Sequence, residues 1–586
     1  MAFLRNQPPS QSQSAWPHHL TLARLVARAL RLPRSAVIQT AAMPQTYSLG
    51  YITALLLWPH DVVVVLPEAQ QERFLADVQS LQGHLKTAKR VQRIGDCPQP
   101  FQDRPNLSPQ NHNGWIDQRT LLLTTPQIWL SDRFNHHHST QRQWTSQFPL
   151  GCPTVIDGGD DLETWARDAL TLTLAPQDWQ ELVQALPDAA ESISQTVKQL
   201  NQDLCDRPRN PYGCYALEPE QQAAIERLSQ LIGQDVSQQD VNPPTNLSQN
   251  LLGLHQESKT SQGREAQPLQ QENDSGLWGG LAMTPSLLPQ GWRFLQRWQQ
   301  PGRQLRWATI EPTAQGEKDI PAEVRLHVAP MELAPELAPL WQQQPTVFLG
   351  RFLGLERQEG QFWRDRLGLG DLTTVKFAPQ RQQDLIQLYV PERLAFPNDP
   401  AFRDQLLNQI LRLCRGGMLG QRHGRQRPPE WISPLKRPVV LVVEDTPLRA
   451  QVSTVLAAEF GSCVQLETPN LNPESILVTG WDFWQQQQDH LPPPQLLIIA
   501  TLPLPSMENP LVAAQVQHLK RQRQDWFQGY LLPIALQRLQ RAVLPVRDRQ
   551  GVVALLDNRV NHRSYGRAIF TALEPYARIN YIDFVA

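Results

Sequence analysis

The run Asp61 to Leu66, DVVVVL, is wholly aliphatic after its first residue, with no alternation of polar side chains. A strand covered on one face alternates apolar and polar residues. A strand covered on both faces, as in parallel sheets, reads as a continuous apolar run. The same signature recurs at 121–126 (LLLTTP), 153–157 (PTVID), 345–350 (PTVFLG), 437–445 (RPVVLVVED), 494–503 (PQLLIIATLP) and 551–560 (GVVALLDNRV). Stretches with helical spacing of apolar residues fall around them, at 20–31, 400–414, 447–459 and 508–524. Strands separated by helices predict an α/β chain with two parallel-sheet domains. A short strand at 35–39, a loop at 40–46 and a helix through Leu57 complete the first block, and 303–311 and 323–330 read as a pair of strands.

A length of 586 residues allows three or four domains. A net charge of −2 supplies no global field to hold a polyanion, so any nucleic-acid contact must come from local patches. Six scattered cysteines (97, 152, 205, 214, 414, 463) without a CxxC pair speak against a disulfide framework or a zinc finger. The first residues carry no apolar leader core, and Pro59, His60 and Asp61 interrupt the most apolar stretch. A soluble, cytoplasmic chain with no membrane partner is expected. Residues 1–18 read as a disordered start. The Gln-, Ser-, Asn- and Pro-rich segment at about 234–276 reads as a disordered linker within a helical insertion over 186–290.

Loops that follow buried parallel strands are the usual seats of phosphate sites. The first, QTAAMPQTYSLG (39–50), has Thr46 as a possible magnesium ligand. It has Ala42 and Pro44 where glycines would be wanted and Gln45 where a lysine would be. By itself it reads as structural. The second, TVIDGGDDLETW (154–165), ends a strand in Asp157, as a Mg²⁺-holding carboxylate does. By themselves, Asp157 and Asp160 read rather as the opening of a helix, where acidic residues suit the dipole.

The order of these pieces resembles the DinG/XPD branch of superfamily 2 helicases from about residue 18 onward. PHHLTLARLVARALRLPRSAVIQTA (17–41) is similar to that family's entry into the nucleotide loop, and DVVVVLPEAQQERFLADV (61–78) to its motif Ia. VIDGGDDLETWARDAL (155–170) stands at the V-I-D-E-A-H box, and GRFL (350–353) stands for S-A-T-L of motif III. Residues 474–515 resemble motif V, and 533–576 motif VI with the family's D-x-G-V-V-x-x-x-D-x-R ending. There Asp548, Gly551, Asp557, Arg559, Tyr565 and Gly566 fall in register.

The resemblance implies two RecA-like, P-loop NTPase-type domains. The first spans 19–185 and, after the insertion, 291–395; the second spans 396–586. It also implies ATP and Mg²⁺ as cofactors and single-stranded or forked DNA, in replication or repair, as partner. By position, Thr46, Asp157, Gln537 and Arg541 would hold nucleotide, with Asp157 on the metal. The departures are consistent. Gln45 replaces the P-loop lysine, Gly158 the catalytic glutamate and Asp160 the DEAH histidine. Motif VI keeps Gln537 and Arg541 but has Gln540 for its glycine and Leu544 for its second arginine. An arginine finger alone supplies about 10³–10⁵ in rate, so losses on this scale predict a pseudo-helicase with impaired or absent hydrolysis. An active helicase with an atypical loop, or a non-catalytic scaffold for a protein partner, are the alternatives.

Only Cys97 and Cys152 lie where the family's four cluster cysteines would, so no iron–sulfur cluster is expected. Arg415, Arg422, Arg425 and Arg427, set among glycines, read either as a phosphate-binding loop or as a solvated connection. Lys520, Arg521 and Arg523 read as solvated surface. Trp129, Trp481 and Trp484 are candidates for base stacking, Trp484 also for interface packing, and His136–His138 read as a polar loop.

Overall fold

The computed structural model describes residues 16–32, 34–40, 47–85, 87, 89–95, 120–138, 147–149, 151–208, 210–239, 290–300, 303–311, 323–344, 346–354, 360–377, 385–415 and 438–579. The chain divides into two compact units. One comprises Met1–Leu170, Glu332–Glu508 and Gln515–Ala586, the other Thr171–Met331 and Asn509–Ala514.

The larger unit holds two seven-stranded sheets, parallel throughout. The first runs, in spatial order, Leu372–Lys376, Ser35–Gln39, Thr346–Gly350, Thr154–Asp157, Val62–Val65, Thr120–Thr124 and Arg90–Arg93. Its five middle strands are buried along their whole length, which is why they read as unbroken apolar runs. Register sets Leu349 opposite Asp157 and Gln39 opposite Gly350. The loops leaving these three strands therefore converge at one end of the sheet. Thr40 ties them there, donating its N–H (2.7 Å) and hydroxyl (3.1 Å) to the Gly350 carbonyl.

The second sheet runs Val464–Leu466, Ile476–Thr479, Val439–Val442, Leu496–Ile499, Val552–Leu555, Ile386–Tyr389 and Tyr576–Ile579. The C-terminal segment is pinned by two glycines. A Cβ at Gly566 would lie 1.9 Å from the Val560 carbonyl oxygen, and one at Gly551 2.7 Å from that of Gln495. Asp557, fully buried, accepts from the Leu502 N–H (2.9 Å) and holds the Arg559 guanidinium.

The smaller unit is a four-stranded antiparallel sheet in the order Leu172–Leu174, Glu323–Pro330, Gln304–Glu311, Cys214–Ala216. Helices Pro176–Ala185, Ala190–Cys205, Pro219–Gln239 and Gln290–Gln299 supply its core, in which Phe294, Leu295 and Trp298 are fully buried. His327 sits between the hydroxyls of Thr173 (2.9 Å) and Thr309 (2.8 Å) and stacks on Trp307.

Several boundaries differ from the sequence reading. The strand pair at 304–311 and 323–330, assigned to a return of the first parallel-sheet domain within 291–395, belongs to this antiparallel sheet. Its alternating burial marks a sheet covered on one face. The same unit takes in 171–185, which the sequence reading left in the first domain. Ile386–Tyr389 joins the second sheet, so that sheet begins before 396. Trp16–Arg31 is helical, so residues 16–18 are not a disordered start; Pro17 suits a first turn, where its missing N–H has no partner to lose. The helix Pro219–Gln239 enters the expected linker, and residues 240–276 lie outside the described residues. Trp129, Trp481 and Trp484 are each at most 1% exposed and fill the cores rather than offering faces to bases. His136–His138 end the helix Pro126–His138 rather than lying in a loop. Among the described residues no helix is long and apolar enough to cross a membrane.

Candidate nucleotide-facing site

The strand end at Asp157 is where a metal-holding carboxylate would stand in a nucleotide-hydrolysing fold. Here each carboxylate oxygen accepts from a phenol. The Tyr47 hydroxyl donates to Oδ1 at 2.5 Å and the Tyr51 hydroxyl to Oδ2 at 2.7 Å. The two tyrosines lie four residues apart, one turn along the start of the helix Ser48–Leu56, so their phenols point the same way. Nothing in a single phenol's position marks it as a partner for Asp157. The i, i+4 spacing just after the nucleotide loop was the readable sign.

All three side chains are buried. Burial, then the Asp157 charge, pushes both phenols well above their ordinary value, so they remain donors at neutral pH. Burial also raises Asp157 above its ordinary 3.8, and the two phenolic hydrogen bonds oppose that rise. The Arg351 guanidinium lies 5.8 Å from the Tyr47 ring centroid.

The residue after Asp157 cannot easily be anything but glycine. Gly158 has φ +86°, and a Cβ there would meet Cη2 of Trp165 at 3.0 Å. A glutamate in this position would combine a left-handed backbone with a steric conflict. Two residues on, Asp160 accepts the N–H groups of Arg351 (3.1 Å) and Phe352 (2.6 Å), fastening this loop to the segment after strand Thr346–Gly350. Burial raises Asp160, with the Arg541 charge opposing.

The helix Leu532–Ala542 of the second sheet's half reaches the same loop. Gln537 Nε2 donates to the Asp160 carbonyl at 2.7 Å, and Arg541 Nη2 meets Asp161 Oδ1 at 2.9 Å. Burial works against the Arg541 charge, but Asp161 and Asp160 outweigh it and hold it above its ordinary value. Two further ties run alongside. Glu332 Oε1 accepts from His518 Nε2 and from Gln522 Nε2, both at 2.7 Å, and the Arg366 guanidinium lies 5.1 Å from the Tyr530 ring while pairing with Glu163.

Of the residues singled out from sequence, the structure thus brings Asp157, Gly158, Asp160, Gln537 and Arg541 together. Gln45 and Thr46 lie outside the described residues, as do Arg422, Arg425 and Arg427. Arg415 ends the helix Phe402–Arg415 and pairs with Glu459 at 3.0 Å. Tyr47, Tyr51, Asp161, Glu332 and His518 complete the arrangement and were not anticipated.

Among the described residues, the groups that would meet Mg²⁺–ATP already have protein partners. The carboxylate that would hold the metal is buried and accepts from two phenols, and the arginine that would face a γ-phosphate is paired with Asp161. Among the described residues no three His, Cys, Asp or Glu side chains are placed to hold a metal ion. Cys97 lies outside them, and burial pushes the Cys152 thiol up to about 12.

Residues 489–576 match the family model described as Helicase C-terminal domain. The ATP-dependent DNA helicase YoaA of Haemophilus influenzae is 29% identical over 134 residues, covering 22% of this chain and 21% of that protein. The chain therefore aligns with about a fifth of that relative's length. Among solved structures, S. tokodaii Xpd4 superposes with a TM-score of 0.54 at 10% identity, over 96% of this chain and all of that one. An XPD helicase gives 0.52 at 11% identity, over 96% and 99%. At such identities the superpositions speak for the fold, and the matched C-terminal segment agrees with it. The chain thus shares the fold of XPD-type helicase structures, and its residues 489–576 match a helicase C-terminal domain.

Proposed function

We propose that this chain is a helicase-fold protein that acts on single-stranded or forked DNA in replication or repair without turning over ATP. The observation that carries the reading is the pair of tyrosine hydroxyls on Asp157. A carboxylate that must ligate Mg²⁺ needs a free lone pair facing solvent, and this one faces two phenols in a buried pocket. Gly158 supplies no base, and the sequence places Gln45 where a phosphate-gripping lysine would be. The joining role that nucleotide plays between two RecA-like halves falls instead to Arg541–Asp161 and Gln537–Asp160. The polynucleotide preference rests on the resemblance to the family.

An ATPase assay on the full chain with saturating single-stranded DNA tests this. We expect no phosphate release above the protein-free rate. Turnover near one per second would overturn the proposal.

A further inference from the structure

We infer that the outer surface formed by the end of the helix Pro510–Arg521, the turn through Trp526 and Phe527, and the loop 562–567 is a landing strip for single-stranded nucleic acid. This rests on the nucleic-acid role proposed above and assigns it a place. The strip is a run of rings flanked by cations. Lys520 Nζ lies 4.9 Å from the Trp526 ring centroid, Trp526 lies 6.1 Å from Phe527, and Phe527 lies 4.9 Å from Tyr565. The turn that closes with Gly566 N–H on the Arg563 carbonyl brings Arg563 beside Tyr565. The Arg563 guanidinium sits 5.7 Å from the ring of Phe396, which is 38% exposed and also touches His562.

The charge of this strip is net positive. Lys520, Arg521, Arg523, Arg563 and Arg567 are exposed or nearly so, and none has a carboxylate within ion-pair distance among the described residues. Two carboxylates lie nearby, one of them within the strip. Asp525 caps the N–H groups of Phe527 and Gln528, and Asp557 holds Arg559. Free cations beside half-exposed rings are the two ingredients of sequence-tolerant single-strand binding, phosphate attraction and base stacking.

A second observation points the same way. The helix ends with Gln524 N–H on the Leu519 carbonyl and Arg523 N–H on the Lys520 carbonyl, each at 3.0 Å, and Arg523 itself at φ +58°. This capping arrangement ordinarily has glycine at the left-handed position. An arginine held there against its backbone preference, followed at once by a π-helical turn over Phe527–Leu531, is a local irregularity of the kind that gathers at functional surfaces. The irregularity keeps a guanidinium at the strip where glycine would fold more easily.

The test is fluorescence anisotropy of a labelled oligo(dT) with the full-length chain, titrated with salt. We expect binding at low salt that weakens steeply as salt rises. Arg523→Gly should keep or raise the thermal midpoint, since it relieves the left-handed strain. It should also weaken binding about fivefold at 0.1 M salt and lower the salt slope by about 0.7. Trp526→Ala should cost about fivefold or more, and Arg563→Glu should weaken binding further. If the unsubstituted chain binds oligo(dT) but all three variants bind equally well, the strip is wrong while the nucleic-acid role stands. Failure of the unsubstituted chain to bind at low salt overturns both, and equal binding to duplex of the same length overturns the stacking half.

Discussion

At the scale of single residues, Asp157 is the clearest case of a group whose neighbours have changed its chemistry. Removing it should reveal the dependence of two buried phenols on one acceptor. Asp157→Ala leaves both donors unsatisfied beside a cavity and should cost about 2–4 kcal/mol. Asp157→Asn keeps an acceptor and should cost well under half of that. Because burial raises the folded carboxyl value above 3.8, the folded state binds its proton more tightly than the unfolded chain. The wild-type contribution is therefore favourable below 3.8 and is lost as pH rises through the folded value. The stability of Asp157→Asn relative to wild type should accordingly grow with pH over that range and then level off. Urea midpoints from pH 4 to 8 measure this, and a flat difference would contradict the burial-dominated reading.

At the scale of elements, the sequence carried the fully buried strands because twofold coverage writes itself as an unbroken apolar run. Val62–Val65, Thr154–Asp157 and Leu496–Ile499 all fall inside runs legible in the chain. Edge strands such as Arg90–Arg93, with two exposed arginines, carry no such imprint and were not legible. The antiparallel sheet was legible as a hairpin-like pair, but its membership was not, since what it packs on is set by helices from 176 to 299. The candidate site was half legible. Position in the motif order pointed to Asp157, Asp160, Gln537 and Arg541, whereas Tyr47 and Tyr51 were marked only by their i, i+4 spacing at the start of a helix. The antiparallel unit also has a pH response of its own. Burial lowers His327 from 6.5 to about 4, with Arg325 adding to the effect, so its neutral form between Thr173 and Thr309 belongs to the folded state. Its contribution is complete above 6.5 and is lost as pH falls from there toward 4. His327→Phe should make the urea midpoint fall less steeply over that interval, and an unchanged slope would remove His327 from the account.

At the scale of the larger unit, protein groups bridge the two parallel sheets: Arg541 on Asp161, Gln537 on the Asp160 carbonyl, His518 and Gln522 on Glu332. In a nucleotide-driven motor, ligand binding and release would change such a bridge, because a ligand shifts an equilibrium only through differential affinity. Small-angle scattering of the wild-type chain should therefore be the same with and without Mg²⁺–ATP, whereas Arg541→Glu, which sets a carboxylate against Asp160 and Asp161, should give a larger radius of gyration and faster limited proteolysis. Compaction of the wild type on adding Mg²⁺–ATP would show that a nucleotide-responsive joint persists.

The left-handed turn at Gly158 also bears on history. A glutamate there would have to take up a left-handed backbone and press on the edge of Trp165 at the same moment. Selection can go on reshaping what the surface grips while the turn itself holds this position to its smallest residue.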